Sequence, residues 1–363
     1  KISRGLSAGS SSLAMMFAGA LAALTPAAIL AISIRHFSAT EQGAVAIAAA
    51  VGAFSAALAN AAILESRLAA SPSNHSTFVP RYAYYLGVAS CAALVFFGSN
   101  VIVLSVCLPV VMVALQLGRT HAITGHLWRT ELVAAVLLST GIGGAATLVS
   151  VDRSELAFSS IALGALGSII ARGTTEKGRT PARPAAALVA WVTAETAVVA
   201  SVPLVTNIAV LGALGPADAV AFRLVLSALG VLQPVLGYVR TRLLSRASRA
   251  LVGFSAALSV LALSLVLLAH GIGIMDSIFG EGWAPVTTMS LVFACLWKVL
   301  TIPETMPFAA LRRRGAVRVI FSARVWSSAA FLACGVASSA MFHELGAVFI
   351  AFCGAQIFTV ILY

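Results

Sequence analysis

Long apolar runs recur along the whole chain and constrain its fold more than any other feature. Of the 363 residues, 60% are hydrophobic and only 10% are charged, and the mean hydropathy is +1.01. A soluble domain of this length needs a surface that makes about a quarter of all residues Asp, Glu, Lys or Arg. Because the chain has too few charges for such a surface, lipid must be the solvent for most of its outside. The sequence therefore predicts a multi-pass, all-α membrane protein.

The number of spans follows from the length of these runs. A helix needs about 20 apolar residues to cross the hydrocarbon core of a bilayer. The runs predict twelve transmembrane helices, near 12–34, 43–64, 82–98, 100–118, 130–149, 156–171, 188–213, 217–239, 251–271, 285–309, 318–340 and 345–363. Only GSN at 98–100 separates the third run from the fourth, so these two could instead form one broken element, which would make the count odd.

Charge alternates between successive connections and decides this count. The even-numbered connections hold most cations: Arg67, Arg81, Arg119, Arg129, Arg172, Lys177, Arg179, Arg183, Arg240, Arg242, Arg246, Arg249, Arg312, Arg313, Arg314 and Arg318. The odd-numbered connections hold Arg35 and Arg153 and most acids: Glu41, Asp152, Glu155, Asp218, Asp276, Glu281 and Glu344. Cytoplasmic connections of membrane proteins are rich in Lys and Arg. The alternation predicts twelve spans with both termini in the cytoplasm, and the Ala-, Gly- and Arg-rich composition indicates a bacterial cytoplasmic membrane.

An internal repeat is the next prediction. The longest polar segment, ARGTTEKGRTPARP at 171–184, follows six spans, so we expect a six-helix lobe at 1–172, a cytoplasmic linker at 173–184 and a second six-helix lobe at 185–363. A shift of 177 aligns Pro26 with Pro203 and Glu41 with Asp218 without a gap. Six spans preserve membrane orientation, so the repeat would be parallel. The alternative is a chance likeness between two Ala-rich helices.

Metal and nucleic-acid sites are not expected. The net charge of +11 is spread over short clusters instead of one basic patch. The five cysteines lie in apolar runs without a CxxC pair, and the spacing of the histidines places no two of them as metal ligands.

Five segments, in order along the chain, carry a resemblance to a known family of membrane proteins. They are IRHFSATEQGAVAIAAAVGAF (first loop and second helix), LGALGPADAVAFRLVLSALGVLQPVLGYV (seventh-to-eighth junction), DSIFGEGWAPVTTMSLVF (ninth-to-tenth connection), AALRRRGAVRVIFSARV (basic loop before the eleventh helix) and HELGAVFIAF (start of the twelfth). The chain thus resembles the polysaccharide (oligosaccharide-lipid) flippase family of the multidrug/oligosaccharidyl-lipid/polysaccharide exporter superfamily. This resemblance implies two six-helix lobes around a central cavity and a polyprenyl-diphosphate-linked sugar as cargo. The chain departs from the family in its very short outer loops and in the few intramembrane cations of its N-terminal half.

Ionisable residues inside spans are costly and are therefore the first candidates for function. Arg223 and Lys298, with Arg35 as a third cation, are predicted to bind the diphosphate of the cargo. The alternatives are snorkelling to the outer interface for both arginines and an internal ion pair for Lys298. Glu195 and Glu304 are predicted to couple transport to a proton or sodium gradient. The alternatives are a hydrogen bond to a neighbouring helix for Glu195 and a position near the cytoplasmic interface for Glu304.

Uncharged polar residues and prolines in the spans form a second group of candidates. Three amides are predicted to bind sugar hydroxyls, with helix–helix hydrogen bonding as the alternative: Asn60, Asn207 and Gln233. Five prolines are predicted to bend helices, the repeat-related first two at the border of the cavity: Pro26, Pro203, Pro234, Pro303 and Pro307. The basic clusters at 240–249 and 312–315 are expected to set topology and bind anionic lipid headgroups.

The predicted function is an alternating-access flippase that moves a polyprenyl-diphosphate-linked oligosaccharide, without catalytic residues or a cofactor. Expected partners are membrane lipids, the lipid-linked oligosaccharide and glycan-assembly enzymes. One alternative is a multidrug or other small-molecule exporter of the same superfamily. Another is a polytopic enzyme of glycolipid assembly, although the outer loop around 271–284 has no DxD motif or paired histidines. A major-facilitator transporter is disfavoured because ESRLAASPSNHSTFVPR, between the second and third spans, lacks that family's basic signature.

Overall fold

A computed structural model of the chain describes residues 24–67, 79–125, 127–174, 184–232, 249–313 and 316–362, and five further positions between Met15 and Ala22. Over these residues the secondary structure is helical, without a strand. In this part of the chain, seven helices are long and apolar enough to cross a membrane. A further pair, Ala256–Gly271 and Ile274–Trp283, is bent by 73° and counts as an eighth candidate if it forms one span. The predicted all-helical membrane fold is confirmed, whereas twelve spans, their orientation and the repeat stay predictions.

The chain divides into two compact units, Lys1–Ala200 and Ser201–Tyr363. The first unit contains α1 (Thr25–His36), α2 (Ala39–Asn60), α3 (Arg81–Phe97), α4 (Val101–Thr124), α5 (Trp128–Ser150) and α6 (Ser154–Gly173). A π-helical turn, Ala61–Glu65, continues α2. The next helix, α7 (Ala186–Ala213), begins in the first unit and ends in the second. The linker predicted at 173–184 falls largely outside the described residues and stays a prediction.

The second unit continues with α8 (Pro216–Leu229), α9 (Arg249–Gly271), the short α10 (Ile274–Phe279), α11 (Thr288–Arg313), α12 (Val317–Phe342) and α13 (Leu345–Leu362). Short 3₁₀ turns lie at Gly230–Leu232 and Gly280–Trp283. Here α13 packs against both α11 and α12. In the first unit, α6 packs against α5 and α3, and α4 packs against α2 and α3.

Small residues allow α5 and α6 to approach each other closely. A Cβ atom added at Gly141 would lie 2.9 Å from the Cα of Gly164 and 2.8 Å from the carbonyl oxygen of Ser160. The Ser160 hydroxyl donates a 2.9 Å hydrogen bond to the Gly141 carbonyl. In lipid, where apolar burial gives helices little reason to associate, such close packing and interhelical hydrogen bonding hold them together.

The turn between α3 and α4 is capped by its own sequence. The Asn100 side-chain oxygen accepts hydrogen bonds from the backbone N–H groups of Ile102 (2.9 Å) and Val103 (3.3 Å). Such a side chain satisfies donors that the first turn of a helix leaves without partners. The runs near 82–98 and 100–118 thus form two helices that pack against each other, and the alternative of one broken element is wrong.

Glu41 and Asp218, which the shift of 177 aligns, occupy the same position in their helices. The helix α2 begins at Ala39 and α8 at Pro216, so both acids are the third residue of a first turn. In α2 the Glu41 carboxylate accepts hydrogen bonds from the backbone N–H (2.9 Å) and the hydroxyl (2.7 Å) of Ser38, which completes a capping box. The acid at this position therefore stabilises the start of α2.

The Phe-Gly turn before α11 orders the connection between α9 and α11. Gly280 has φ +54°, a left-handed conformation that glycine adopts without strain. The turn stacks the fully buried Trp283 on Phe279, with ring centroids 5.4 Å apart. The Trp283 indole N–H donates to Nδ1 of His270 over 3.0 Å. The aromatic residue after this turn thus anchors the connection to the end of α9.

Candidate functional site

A buried ion pair joins α5 to α6 in the first unit. Glu131 lies in the first turn of α5 and Arg172 in the last turn of α6. Both side chains are almost completely buried. The Arg172 guanidinium donates to both carboxylate oxygens of Glu131, over 2.9 Å each, and its Nη1 donates to the Ser168 hydroxyl over 2.8 Å. This bidentate geometry is the strongest form of ion pair available to these side chains.

A second arginine approaches the same carboxylate from α4. The Arg119 Nε atom lies 3.7 Å from a Glu131 carboxylate oxygen, and the Arg119 side chain is only 16% exposed. Gly118 of α4 leaves room for the Arg172 side chain, because a Cβ at that position would lie 2.9 Å from the Cδ atom of Arg172. The sequence places Arg119 and Arg172 in connections, whereas the structure places both at buried positions of helices. The assignment of these two arginines to connections is wrong. The carboxylate of Glu131 lowers the free-energy cost of placing their charges inside the helices.

In the second unit, Glu304 links α11 to two neighbouring helices. Its buried carboxylate accepts from Arg324 Nη1 of α12 over 3.0 Å and from Gln356 Nε2 of α13 over 3.0 Å. The Arg324 guanidinium also lies 4.6 Å from the centroid of the Phe308 ring. Glu304 is thus held by two polar partners inside the unit, and its position relative to the cytoplasmic interface stays a prediction.

Lys298 lies half-buried in α11 beside an aromatic cluster. Its Nζ atom is 3.9 Å from the centroid of the Trp297 ring, and no ion pair or hydrogen bond joins it to another described residue. The Trp297 ring packs against Phe352 and Phe331 at centroid distances of 4.9 and 6.1 Å. Within the described part of the chain, the buried Trp297 N–H has no acceptor. The internal ion pair considered for Lys298 is not seen among these residues.

The other predicted cations and the second acid occupy separate places. Arg223 is buried in α8, next to Phe222, whose ring stacks on Phe349 at 5.6 Å. Arg35 is exposed at the end of α1. Glu195 is half-buried in α7. The structure buries Arg223 and exposes Arg35. Snorkelling requires an exposed arginine, so this alternative fits Arg35 and not Arg223.

The predicted amides have different surroundings. The Asn60 side chain donates to Glu65 over 2.9 Å, five residues along the same helix, because the π-turn brings these positions onto one face. Asn207 is fully buried next to Thr206, whose Oγ1 would lie 3.2 Å from a Cβ added at Gly335 of α12. This close approach favours helix–helix contact for that part of α7. Gln233 lies outside the described residues.

The predicted prolines occupy different positions in their helices. Pro26 lies in the first turn of α1, where a missing backbone N–H costs nothing, whereas Pro203 lies in the interior of α7. Pro303 and Pro307 lie inside α11, on either side of Glu304, and Pro234 lies outside the described residues. The symmetric bends at Pro26 and Pro203 stay a prediction.

The ion pairs contain functional candidates that sequence reasoning missed. Sequence reasoning does not single out Glu131, Arg324 and Gln356, although all three lie inside predicted spans. Their partners are distant in sequence, by 41 positions for Glu131 with Arg172 and by 52 for Gln356 with Glu304. One feature of the sequence indicates these pairs. Glu131 and Glu304 are acids close to connections that are otherwise basic and are predicted to be cytoplasmic.

Comparison with known proteins identifies the fold. No protein-family model and no curated protein matches the chain. An inward-facing multidrug resistance MATE family transporter of the MOP superfamily matches it with a TM-score of 0.54 and 10% identity, over 93% of this chain and 92% of that one. An outward-facing transporter of the same description gives 0.52 and 12%, over 96% and 92%. A MATE in complex with MaL6 gives 0.54 and 12%, also over 96% and 92%.

This chain has the fold of the MATE transporters. The likeness extends over nearly the whole length of both chains. The predicted all-helical membrane fold agrees with this likeness, whereas the twelve helices, the two six-helix lobes and the repeat stay predictions. At 10–12% identity, a fold is compatible with many cargoes. The polysaccharide flippase branch stays a prediction.

Proposed function

We propose that the chain is an alternating-access transporter that exports amphipathic molecules carrying an anionic group. The MATE fold supports a transporter over an enzyme. One observation favours an anionic cargo: Lys298 has no ion-pair partner among the described residues, while the carboxylates of Glu131 and Glu304 are held by arginines. A carboxylate that already neutralises an arginine attracts a cationic drug less strongly than an uncompensated carboxylate does, and the ammonium group of Lys298 repels a cation.

The surroundings of Lys298 supply the other elements of such a site. Its ammonium group carries three donors, and the neighbouring Trp297 N–H lacks an acceptor in the described part of the chain. An anionic oxygen would satisfy both groups, and the rings of Trp297, Phe331 and Phe352 offer an apolar surface. In a site of low dielectric constant, an anion gains more from one ammonium group than it does in water.

Two cargoes fit this chemistry. The first is a small amphipathic molecule, which is supported by the multidrug resistance transporters that share the fold. The second is the polyprenyl-diphosphate-linked oligosaccharide, which is supported by the five flippase-like segments and by the anion-binding chemistry of Lys298. Glycan-assembly enzymes are expected partners only for the second. Removal of the protein from its cell separates the two, because only loss of a flippase leaves lipid-linked oligosaccharide on the cytoplasmic side.

Ligand binding to the purified protein tests the anionic preference. We expect Lys298→Ala to bind a farnesyl diphosphate probe at least about tenfold more weakly, because a charge-assisted contact contributes roughly 1.5–3 kcal/mol. The matched control is Arg318→Ala, which removes an exposed cation of the same unit and should leave the affinity unchanged. Equal affinities of the wild type and Lys298→Ala would remove Lys298 from the mechanism.

A further inference from the structure

The Arg119 guanidinium group has a hydrogen-bond donor that lacks an acceptor in the described part of the chain. Its side chain is 16% exposed, yet it donates no hydrogen bond to any other described residue, and its Nε is a buried donor without an acceptor. A guanidinium group carries five N–H donors, and buried donors of this kind almost always have partners. The nearest Glu131 carboxylate oxygen lies 3.7 Å from the Arg119 Nε atom, beyond hydrogen-bond distance.

The Glu131 carboxylate hydrogen-bonds to Arg172 and not to Arg119. Both of its carboxylate oxygens already accept from Arg172, and the remaining Arg172 donor group is engaged by Ser168. Two guanidinium groups and one carboxylate leave this cluster with one net positive charge. A net charge in a buried place is costly unless an opposite charge comes near. The Arg119 side of the cluster therefore presents a positive charge that an anion could neutralise.

The cluster lies at the helix ends that the sequence predicts to face the cytoplasm. Glu131 and Arg172 mark the beginning of α5 and the end of α6. At the start of α5, Trp128 is 37% exposed, and the Arg129 guanidinium lies 5.3 Å from the centroid of its ring. Tryptophan and basic residues are typical of the membrane–water interface, where lipid phosphates lie. A lipid headgroup is therefore available at this level.

We propose that Arg119 binds the phosphate of an anionic phospholipid in the leaflet at this end of the helices. The planar guanidinium group matches phosphate oxygens in geometry and charge. One phosphodiester carries a single negative charge, which equals the excess of the cluster, whereas a diphosphate carries more than the cluster can balance. The site is distinct from Lys298 and does not depend on the proposed transport function.

Lipid retention by the purified protein tests this site. Wild type, Arg119→Gln and Arg153→Gln are purified in mixed micelles with phosphatidylglycerol or phosphatidylcholine, and bound lipids are counted by native mass spectrometry. The control removes an exposed arginine between α5 and α6, at the other end of these helices. We expect Arg119→Gln alone to lose one phosphatidylglycerol, with an affinity about fivefold lower, and phosphatidylcholine to bind all three proteins equally.

Equal retention of phosphatidylglycerol by the wild type and Arg119→Gln would overturn the proposal. Loss of the lipid by Arg153→Gln to the same extent would do so as well, because binding would then follow net charge. The Glu131–Arg172 pair remains in Arg119→Gln, so this variant is expected to fold. The wild type provides a second test: phosphatidylglycerol must raise its unfolding temperature more than phosphatidylcholine. Displacement of the lipid by millimolar inorganic diphosphate would reassign the site to a free phosphate.

Discussion

Arg172 donates two parallel hydrogen bonds, each 2.9 Å long, to the carboxylate of Glu131, which precedes it by 41 positions. The pair joins the two helices whose backbones come closest at Gly141 and Gly164. The first unit thus combines close packing in the middle of α5 and α6 with an ionic link at one end. Removing one partner would leave a buried charge without compensation, which costs much more than the pair contributes.

Substitution of Glu131 is therefore expected to destabilise the first unit strongly. Glu131→Gln leaves Arg119 and Arg172 buried without an opposite charge, so we expect a loss of about 3–5 kcal/mol in the free energy of unfolding. Denaturant unfolding in detergent micelles measures this loss. Glu155→Gln, an exposed acid of α6, is the control. A Glu131→Gln variant as stable as the control would show that the pair does not support the fold.

Gly141 is expected to be intolerant of even one methyl group. In Gly141→Ala, the new Cβ would lie within 3 Å of backbone atoms of Ser160 and Gly164, and backbone cannot move aside as a flexible side chain can. We expect a loss of about 1–3 kcal/mol, as for other overpacked sites. Gly143→Ala is a matched control in the same helix, because no atom lies within 4 Å of its added Cβ. Similar unfolding temperatures for the two variants would contradict the close approach of α5 and α6.

Glu304 and Arg324 are expected to depend on each other. The two single variants Glu304→Gln and Arg324→Gln each leave a partner without its opposite charge, whereas the double variant removes both charges. The loss of stability in the double variant should therefore be smaller than the sum of the single losses, by about 0.5–3 kcal/mol. Unfolding of all four proteins in micelles completes the cycle. Additive losses would mean that the 3.0 Å contact contributes nothing.

Glu195, half-buried in α7, is the acid that we expect to carry gradient coupling. Glu195→Gln should unfold at the wild-type temperature but transport cargo at a rate that no longer responds to a proton or sodium gradient. Proteoliposomes with imposed gradients measure this response. Gradient-driven transport that persists in Glu195→Gln and disappears in a folded Glu304→Gln variant would assign coupling to the other acid.

The helices could be predicted from the sequence, but the ion clusters could not. Apolar runs of span length are visible in any single sequence. Asn100 lies in the turn between α3 and α4 and caps the start of α4. Hydropathy places the end of a span at the first charge, so Arg119 and Arg172 were assigned to connections. In the structure, Glu131 neutralises part of their charge and the helices continue past them. Such compensation depends on residues that are distant in the chain, which periodicity does not report.

Flux through proteoliposomes of the purified chain tests the transport function most directly. A fluorescent amphipathic anion and a cation of equal size are loaded, and their efflux is followed in the wild type, Lys298→Ala and Arg318→Ala. We expect the wild type and Arg318→Ala to export the anion faster than protein-free vesicles do, and Lys298→Ala to lose most of this flux. Efflux of the cation with equal rates in all three proteins would contradict the role of Lys298, and no flux of either probe above protein-free vesicles would contradict the transporter itself.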